Sequence, residues 1–208
     1  GCHLVLEVCE SERAEEQAEA TRSFASTSVE GVILPPPLSE AAPVRAELDA
    51  AGIPWVSVAM GLPPADSLNV RIDDCAAASA MTRHLLDLGH RRIGFIRGNP
   101  NQTSSHERFR GFAAALEDAG IDVTTMPVEQ GYFTFRSGIV AAERLLDRAE
   151  PPTAIFAGND DMAAGVLAVA HETDIDVPGQ LSIVGFDDSD LARAVWPPLT
   201  TMRQPVRE

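Results

Sequence analysis

The sequence predicts an α/β fold with parallel sheets covered by helices on both faces, and three observations carry that expectation. Short apolar runs alternate with longer helical patterns along nearly the whole chain, as in repeated βα units. Two of the runs end in a polar turn and a capped helix start. Ala154 to Ala157 stops at Gly158, where Asn159 or Asp160 caps a helix continuing through Met162 and Ala163. Leu181 to Phe186 is followed in the same way by Asp187, Asp188 and Ser189. The turn at the carboxyl end of a parallel strand is where open α/β sheets bind ligands. Finally, the series of elements restarts near Leu88 to His90, so two lobes of similar architecture are expected.

The elements follow in order. His3 to Cys9 is an apolar strand, and Arg13 to Ser26 is a helix rich in Ala and Glu. Val29 to Leu34 is a second strand, ended by Pro35, Pro36 and Pro37. A helix over Ala41 to Ala51 is closed by Gly52 and Pro54, both helix stop signals. Trp55 to Val58 and Leu68 to Ile72 read as strands, and Asp74 caps a helix from Ala76 to Leu88. Gly89 stands where a left-handed C-cap is wanted. In the second half, Arg92 to Ile96 is a strand, Ser105 to Ala119 a helix ended by Gly120, Val123 to Glu129 a weaker strand, and Phe135 to Asp147 a helix.

Composition narrows the function classes. The chain has 208 residues, 45% of them hydrophobic, enough for a substantial core. Its 31 acidic against 16 basic residues give a net charge of −15, which argues against a surface that grips nucleic acid. No run reaches the length of a membrane span, and no signal-peptide pattern opens the chain. Cys2, Cys9 and Cys75 are odd in number and lack metal-type spacing, which fits buried thiols in a reducing cytoplasm. The five histidines are scattered, so no metal site is expected. The acidic pairs Asp73–Asp74, Asp160–Asp161 and Asp187–Asp188 could suggest a magnesium hydrolase. Each stands at a helix start, however, where capping and the helix dipole explain it. With no phosphate loop and no nucleophile–base pair, an enzyme is not expected, and no cofactor is implied.

Several segments together resemble the effector-binding domain of the LacI/GalR family of bacterial transcription regulators. They are Val29–Leu34, His84–Ile96, Glu107–Phe112, Pro152–Ala163, Val177–Asp188 and Pro197–Pro205. They stand in the family's order and cover nearly the whole chain. The resemblance implies a periplasmic binding protein-like fold of type I, with two Rossmann-like lobes, a ligand cleft between them and three crossover strands. Residues 1–88 would form the N-terminal lobe, 89–202 the C-terminal lobe, and 203–208 a crossover toward the first. Against the family pattern, the chain begins at the second strand of the N-terminal lobe and stops after the return crossover. A helix-turn-helix headpiece would precede the part seen here, and operator DNA would be contacted only through it.

The resemblance also points to ligand-binding positions. Arg108, near the start of a helix beside a polar loop, matches an arginine that binds ligand hydroxyls or carboxylates. By itself it could be a solvated cation, but its planar fork presents several fixed donors. Asp187 matches an acidic ligand contact able to accept from two neighbouring hydroxyls, or it could be a simple cap. Asn159 can cap a helix and also contact ligand. Phe133 matches an aromatic ring against the ligand's apolar face, or could be plain core. Gln102 and Ser104 are polar groups of the loop, and Gln204 at the crossover could reach the cleft floor. The expected function is a cytoplasmic, homodimeric regulator domain in which a carbohydrate-like effector closes the lobes and so controls operator binding. A periplasmic solute-binding component of a transporter is the competing reading.

Overall fold

The structure, a computed structural model, describes residues 3–9, 13–27, 29–61 and 63–205. Its contacts divide into two compact units: residues 1–72 with 101–103, and residues 73–100 with 104–208. This division falls earlier than the lobe boundary expected after residue 88, because the helix beginning at Asp74 groups with the second unit.

The first unit contains α1 (Ala14–Ala25), β1 (Val32–Leu34), α2 (Ala42–Ala50), β2 (Trp55–Val58) and β3 (Leu68–Val70). A short 3-10 turn, Leu38–Glu40, follows the proline run. The strands form one parallel sheet in the order β1-β2-β3. Leu34, Val44 and Leu48 make its core. The indole N–H of Trp55 donates to Asp49 at 2.8 Å, which ties the end of α2 to β2. His3 to Cys9, expected as a strand, joins no ladder among the described residues, and Leu4, Val5, Leu6 and Val8 are exposed. An apolar run becomes a strand only when a neighbour takes up its backbone N–H and C=O groups.

The second unit contains α3 (Asp74–Asp87), β4 (Ile93–Arg97), α4 (Thr103–Asp118), β5 (Val128–Gln130) and α5 (Phe135–Leu146). It continues with β6 (Ala154–Ala157), α6 (Asp160–Glu172), β7 (Ser182–Asp187), α7 (Asp190–Ala194) and β8 (Thr200–Arg203). All five strands are parallel, in the order β5-β4-β6-β7-β8. The expected strand over Val123 to Glu129 is two pieces, a 3-10 turn at Val123–Thr125 and then β5, because the Asp122 carboxylate accepts from Thr124 and turns the chain first. Thr200–Arg203 forms a fifth strand beside β7, so this segment belongs to the second sheet before any crossover.

Alternation along the strands sorts the core. On one face Phe95 and Phe156 pack edge-on with centroids 5.2 Å apart, and Phe109 and Phe112 of α4 cover Phe95. On the other face Ile96, Ile155 and Ala157 meet Ala141, Leu145, Met162 and Val166 of α5 and α6. Both faces are therefore dry, as a wholly parallel sheet requires. Gly111 explains the placement of α3, since a Cβ there would stand 2.1 Å from the Cys75 carbonyl oxygen. The missing side chain lets α4 lie against the backbone of α3.

Helices α5 and α6 approach just as closely through two glycines. A Cβ on Gly138 would lie 2.4 Å from the Met162 carbonyl oxygen, and one on Gly165 would lie 2.4 Å from that of Phe135. Backbone cannot yield as a flexible side chain does. Gly138→Leu is therefore expected to lower stability by about 1–3 kcal/mol or more through overpacking, read as a reduced midpoint in urea unfolding. An unchanged midpoint would show that the two helices can separate freely.

Candidate functional site

The order β5-β4-β6-β7-β8 fixes where a ligand site can form in the second unit. From β4 the chain steps outward to β5, then returns to place β6 on the other side of β4. Beyond the carboxyl ends of β4 and β6 the two connections diverge, leaving the crevice that open α/β sheets use for ligands. Gly98 and Gly158 stand there, and the Gly158 N–H donates to the Ile96 carbonyl at 2.9 Å. A Cβ on Gly98 would fall 1.9 Å from the ring of Phe133, so this glycine makes the room that the ring occupies.

Arg108 is the centre of the arrangement. It lies in the second turn of α4 and is only 6% exposed. Its Nε–H donates to Asp74 Oδ1 at 2.8 Å, and Nη1 donates to the Gly158 carbonyl at 2.6 Å. Nη1 also stands 3.7 Å from Asp187 Oδ1. The guanidinium stacks on the Phe186 ring at 3.7 Å and lies 5.6 Å from the centre of the Phe133 ring. A buried cation needs such partners, because removing it from water costs several kcal/mol.

Asp187 ends β7 in a strained backbone. Its φ is 122° and that of Asp188 is 56°, two successive left-handed residues without a glycine. Conformations of this kind persist only where surroundings enforce them, and they concentrate at functional sites. The Gln204 amide donates to Asp187 Oδ1 at 2.6 Å. Asp188 turns the other way, accepting from Arg193 at 2.8 Å and Arg203 at 2.7 Å.

Six further placements complete the comparison with the sequence. Asn159 is the N-cap of α6, accepting from the Met162 N–H at 3.0 Å, while its amide donates to the Phe133 carbonyl at 3.1 Å. Phe133 itself is half-buried and has a positive φ of 60°. Ser104 is buried in the first turn of α4, one helical turn before Arg108 on the same side. Gln102 is half-buried and groups with the first unit. Asp74 was expected only as a helix cap. Asp73 takes that role, accepting from the Ala76 N–H at 2.8 Å, which leaves Asp74 to bind Arg108. The clue was the doubled carboxylate, since a helix start has one N-cap. Phe186, expected only as an apolar strand residue, is the platform under the guanidinium.

Elsewhere in the second unit, a shallow depression is lined by Gly89, Arg91, Arg92, Thr125, Met126 and Thr153. It lies at the amino ends of the strands, away from the Arg108 cluster. Among the described residues, no group of three or more His, Cys, Asp or Glu side chains is placed to hold a metal.

Residues 82–208 match the periplasmic binding protein-like domain family. A LacI transcriptional regulator structure from Rhodococcus is 34% identical, with a TM-score of 0.79, and the match covers 89% of this chain and 68% of that one. The chain belongs to the LacI family of transcription regulators. The repressor CytR of Escherichia coli is 43% identical over 65% of this chain and 40% of its own length. The regulator CelR of Thermobifida fusca is 36% identical over 88% of this chain and 54% of its own. The chain thus spans about half the length of these relatives. A CelR–cellobiose complex superposes with a TM-score of 0.84 at 34% identity, covering 92% of this chain and 59% of that one. A LacI regulator from Enterococcus faecium with bound ribose gives 0.82 at 29% identity, covering 95% and 72%.

In this LacI-family chain, burial pushes the Asp187 carboxyl up from 3.8 to about 6. Arg108 and the Gln204 amide pull against that rise, while Asp160 and Asp161 add to it. A carboxyl raised on folding contributes stability that is full below its unfolded value and lost as pH rises through its folded value. The affected window is therefore pH 3.8 to about 6. The side chain is 31% exposed, so a loss of about 1–3 kcal/mol is expected. Asp187→Asn should accordingly be more stable than the parent near neutral pH, with the advantage gone near about pH 4. Urea unfolding at both pH values checks this, and an equal difference at the two would contradict it.

Proposed function

We propose that this chain is the effector-binding and dimerising domain of a LacI-type transcription regulator that works in the cytoplasm, and that its effector is a sugar or sugar-like polyol. The observation that carries the reading is the Arg108–Asp187 pair, held 3.7 Å apart at a sheet's carboxyl ends beside the Phe133 ring. A polyol needs donors, acceptors and a flat apolar surface together. Arg108 has further N–H donors beyond the two that Asp74 and Gly158 engage. Asp187 accepts from hydroxyls, and Asn159 retains one amide N–H after bonding Phe133. Ser104, Gln102 and Gln204 are the remaining proposed contacts. The cellobiose and ribose bound by similar proteins support the same ligand class.

In the mechanism this implies, the effector binds one arrangement of the two lobes more tightly than the other. A difference of a few kcal/mol is enough to shift the population. The shift alters the geometry of a homodimer and, through it, the fit of DNA-binding headpieces to an operator. DNA would be contacted only through those headpieces, which agrees with the net charge of −15 on this part of the protein.

A thermal-shift screen of sugars, nucleosides and amino acids tests the ligand class, with sugars expected to raise the melting temperature. Stabilisation by nucleosides or amino acids alone would overturn it. For a sugar that binds, Asp187→Ala is expected to weaken affinity by about 10–100-fold, the loss of one charge-assisted bond of roughly 1.5–3 kcal/mol. Calorimetric titration measures this, and an unchanged Kd in the folded variant would remove Asp187 from the contact set.

A further inference from the structure

Asp160 is fully buried, yet its carboxylate neither caps α6 nor meets a cation within ion-pair distance among the described residues. It is the first residue of α6, and Asn159 before it is the cap. Both oxygens point toward the end of the neighbouring strand. Oδ2 accepts from the Ser189 N–H at 2.8 Å, and Oδ1 accepts from the Thr201 hydroxyl at 2.5 Å. The same hydroxyl oxygen accepts from the Asp188 N–H at 3.3 Å. Two successive backbone N–H groups, those of Asp188 and Ser189, are thus gathered onto one buried carboxylate, one directly and one through Thr201. They immediately follow Asp187, the first of the two left-handed residues.

The sheet leaves space for this connection. Thr201 of β8 stands opposite Gly185 of β7 in the parallel ladder. A Cβ on Gly185 would lie 2.4 Å from Asp160 Oδ1, so only glycine admits the carboxylate here. The side chains of the turn are held separately, Asp188 by Arg193 and Arg203 and Asp187 by Gln204, whereas its Asp188 and Ser189 N–H groups depend on Thr201 and Asp160. Ser189 Oγ is buried without a hydrogen-bond partner, and it does not cap α7. Backbone strain of this sort is retained only where the surroundings over-determine it. A carboxylate stripped of water needs such donors in return, so the tie serves both groups.

We propose that Asp160, acting through Thr201 and the Ser189 N–H, is a positioning group that holds the Asp187–Asp188 turn in its left-handed shape and so aims the Asp187 carboxylate at the effector. The proposal rests on the reading of Asp187 as an effector contact. A purely stabilising role at the start of α6 would need no partners on β8, since a carboxylate there already benefits from the helix dipole. Asp161 supplies a second carboxylate in the same turn of the helix.

The test uses the full chain and reads Asp187 directly, by the pH titration of its carboxyl carbon resonance. Thr201→Val keeps the shape of the side chain and removes the hydroxyl, whereas Thr201→Ser keeps the hydroxyl. In Thr201→Val the released turn admits water to Asp187, and its midpoint is expected to fall from about 6 toward the ordinary 3.8. Thr201→Ser is expected to titrate as the parent does. A parental midpoint in Thr201→Val, with only a lowered melting temperature, would overturn the proposal and leave the contacts structural. So would a fallen midpoint in Thr201→Ser at parental stability. Titrating cellobiose and ribose into the same three proteins tests the underlying sugar reading separately. Failure of both to bind the parent does not alter what the Asp187 resonance reports.

Discussion

A guanidinium removed from water at the top of a parallel sheet sets the terms for everything around it in the second unit. Arg108 is compensated by four groups from three elements: a carboxylate from α3, a carbonyl after β6, a carboxylate at the end of β7 and an aromatic ring from the same strand. Removing one partner of such a cluster leaves an uncompensated buried charge, which is why these interactions fix geometry even where their net stabilisation is small. The glycines follow from the same demand. Gly111 allows α3 close enough to bring Asp74 to Arg108, Gly98 makes room for Phe133, and Gly185 admits the Asp160 carboxylate.

The site also carries conflicts that a purely structural arrangement would not need. Asp187 and Asp188 are both left-handed, and burial raises the Asp187 carboxyl to about 6 in spite of the nearby arginine. Local rules of propensity and polar satisfaction are broken here and kept in the surrounding sheet, a pattern that marks functional sites. Near neutral pH the cluster holds one cation among several carboxylates, with the Arg108 fork partly committed to protein. An effector with several hydroxyls would engage the donors and acceptors that remain.

Much of the fold was legible because burial on both sheet faces leaves a strong imprint. Trp55 to Val58 and Ala154 to Ala157 were bounded correctly, and Gly89 and Gly120 do adopt positive φ at helix ends. The errors arose where a strand depends on a neighbour. His3 to Cys9 has the composition of a strand and no ladder, while Thr200–Arg203 is a strand only because β7 offers an edge. Caps were legible to within one residue, which decided the site: shifting the cap from Asp74 to Asp73 frees the carboxylate that Arg108 requires. Arg108, Asp187 and Gln204 were each singled out in the sequence, and the structure brings them together. The role of Asp160 was hidden, because nothing in a local pattern tells that both its partners come from later segments.

Membership of the LacI family gives this cluster its setting. The central claim is that Arg108 is a fixed donor that an effector engages. Its most direct test is the Nε–H resonance of Arg108 in a nitrogen-15 labelled sample. Held against Asp74, that proton should exchange slowly with water, and titration with a stabilising sugar should move the resonance saturably, in step with calorimetric binding. A sugar that binds while the Arg108 resonance stays still would contradict the account.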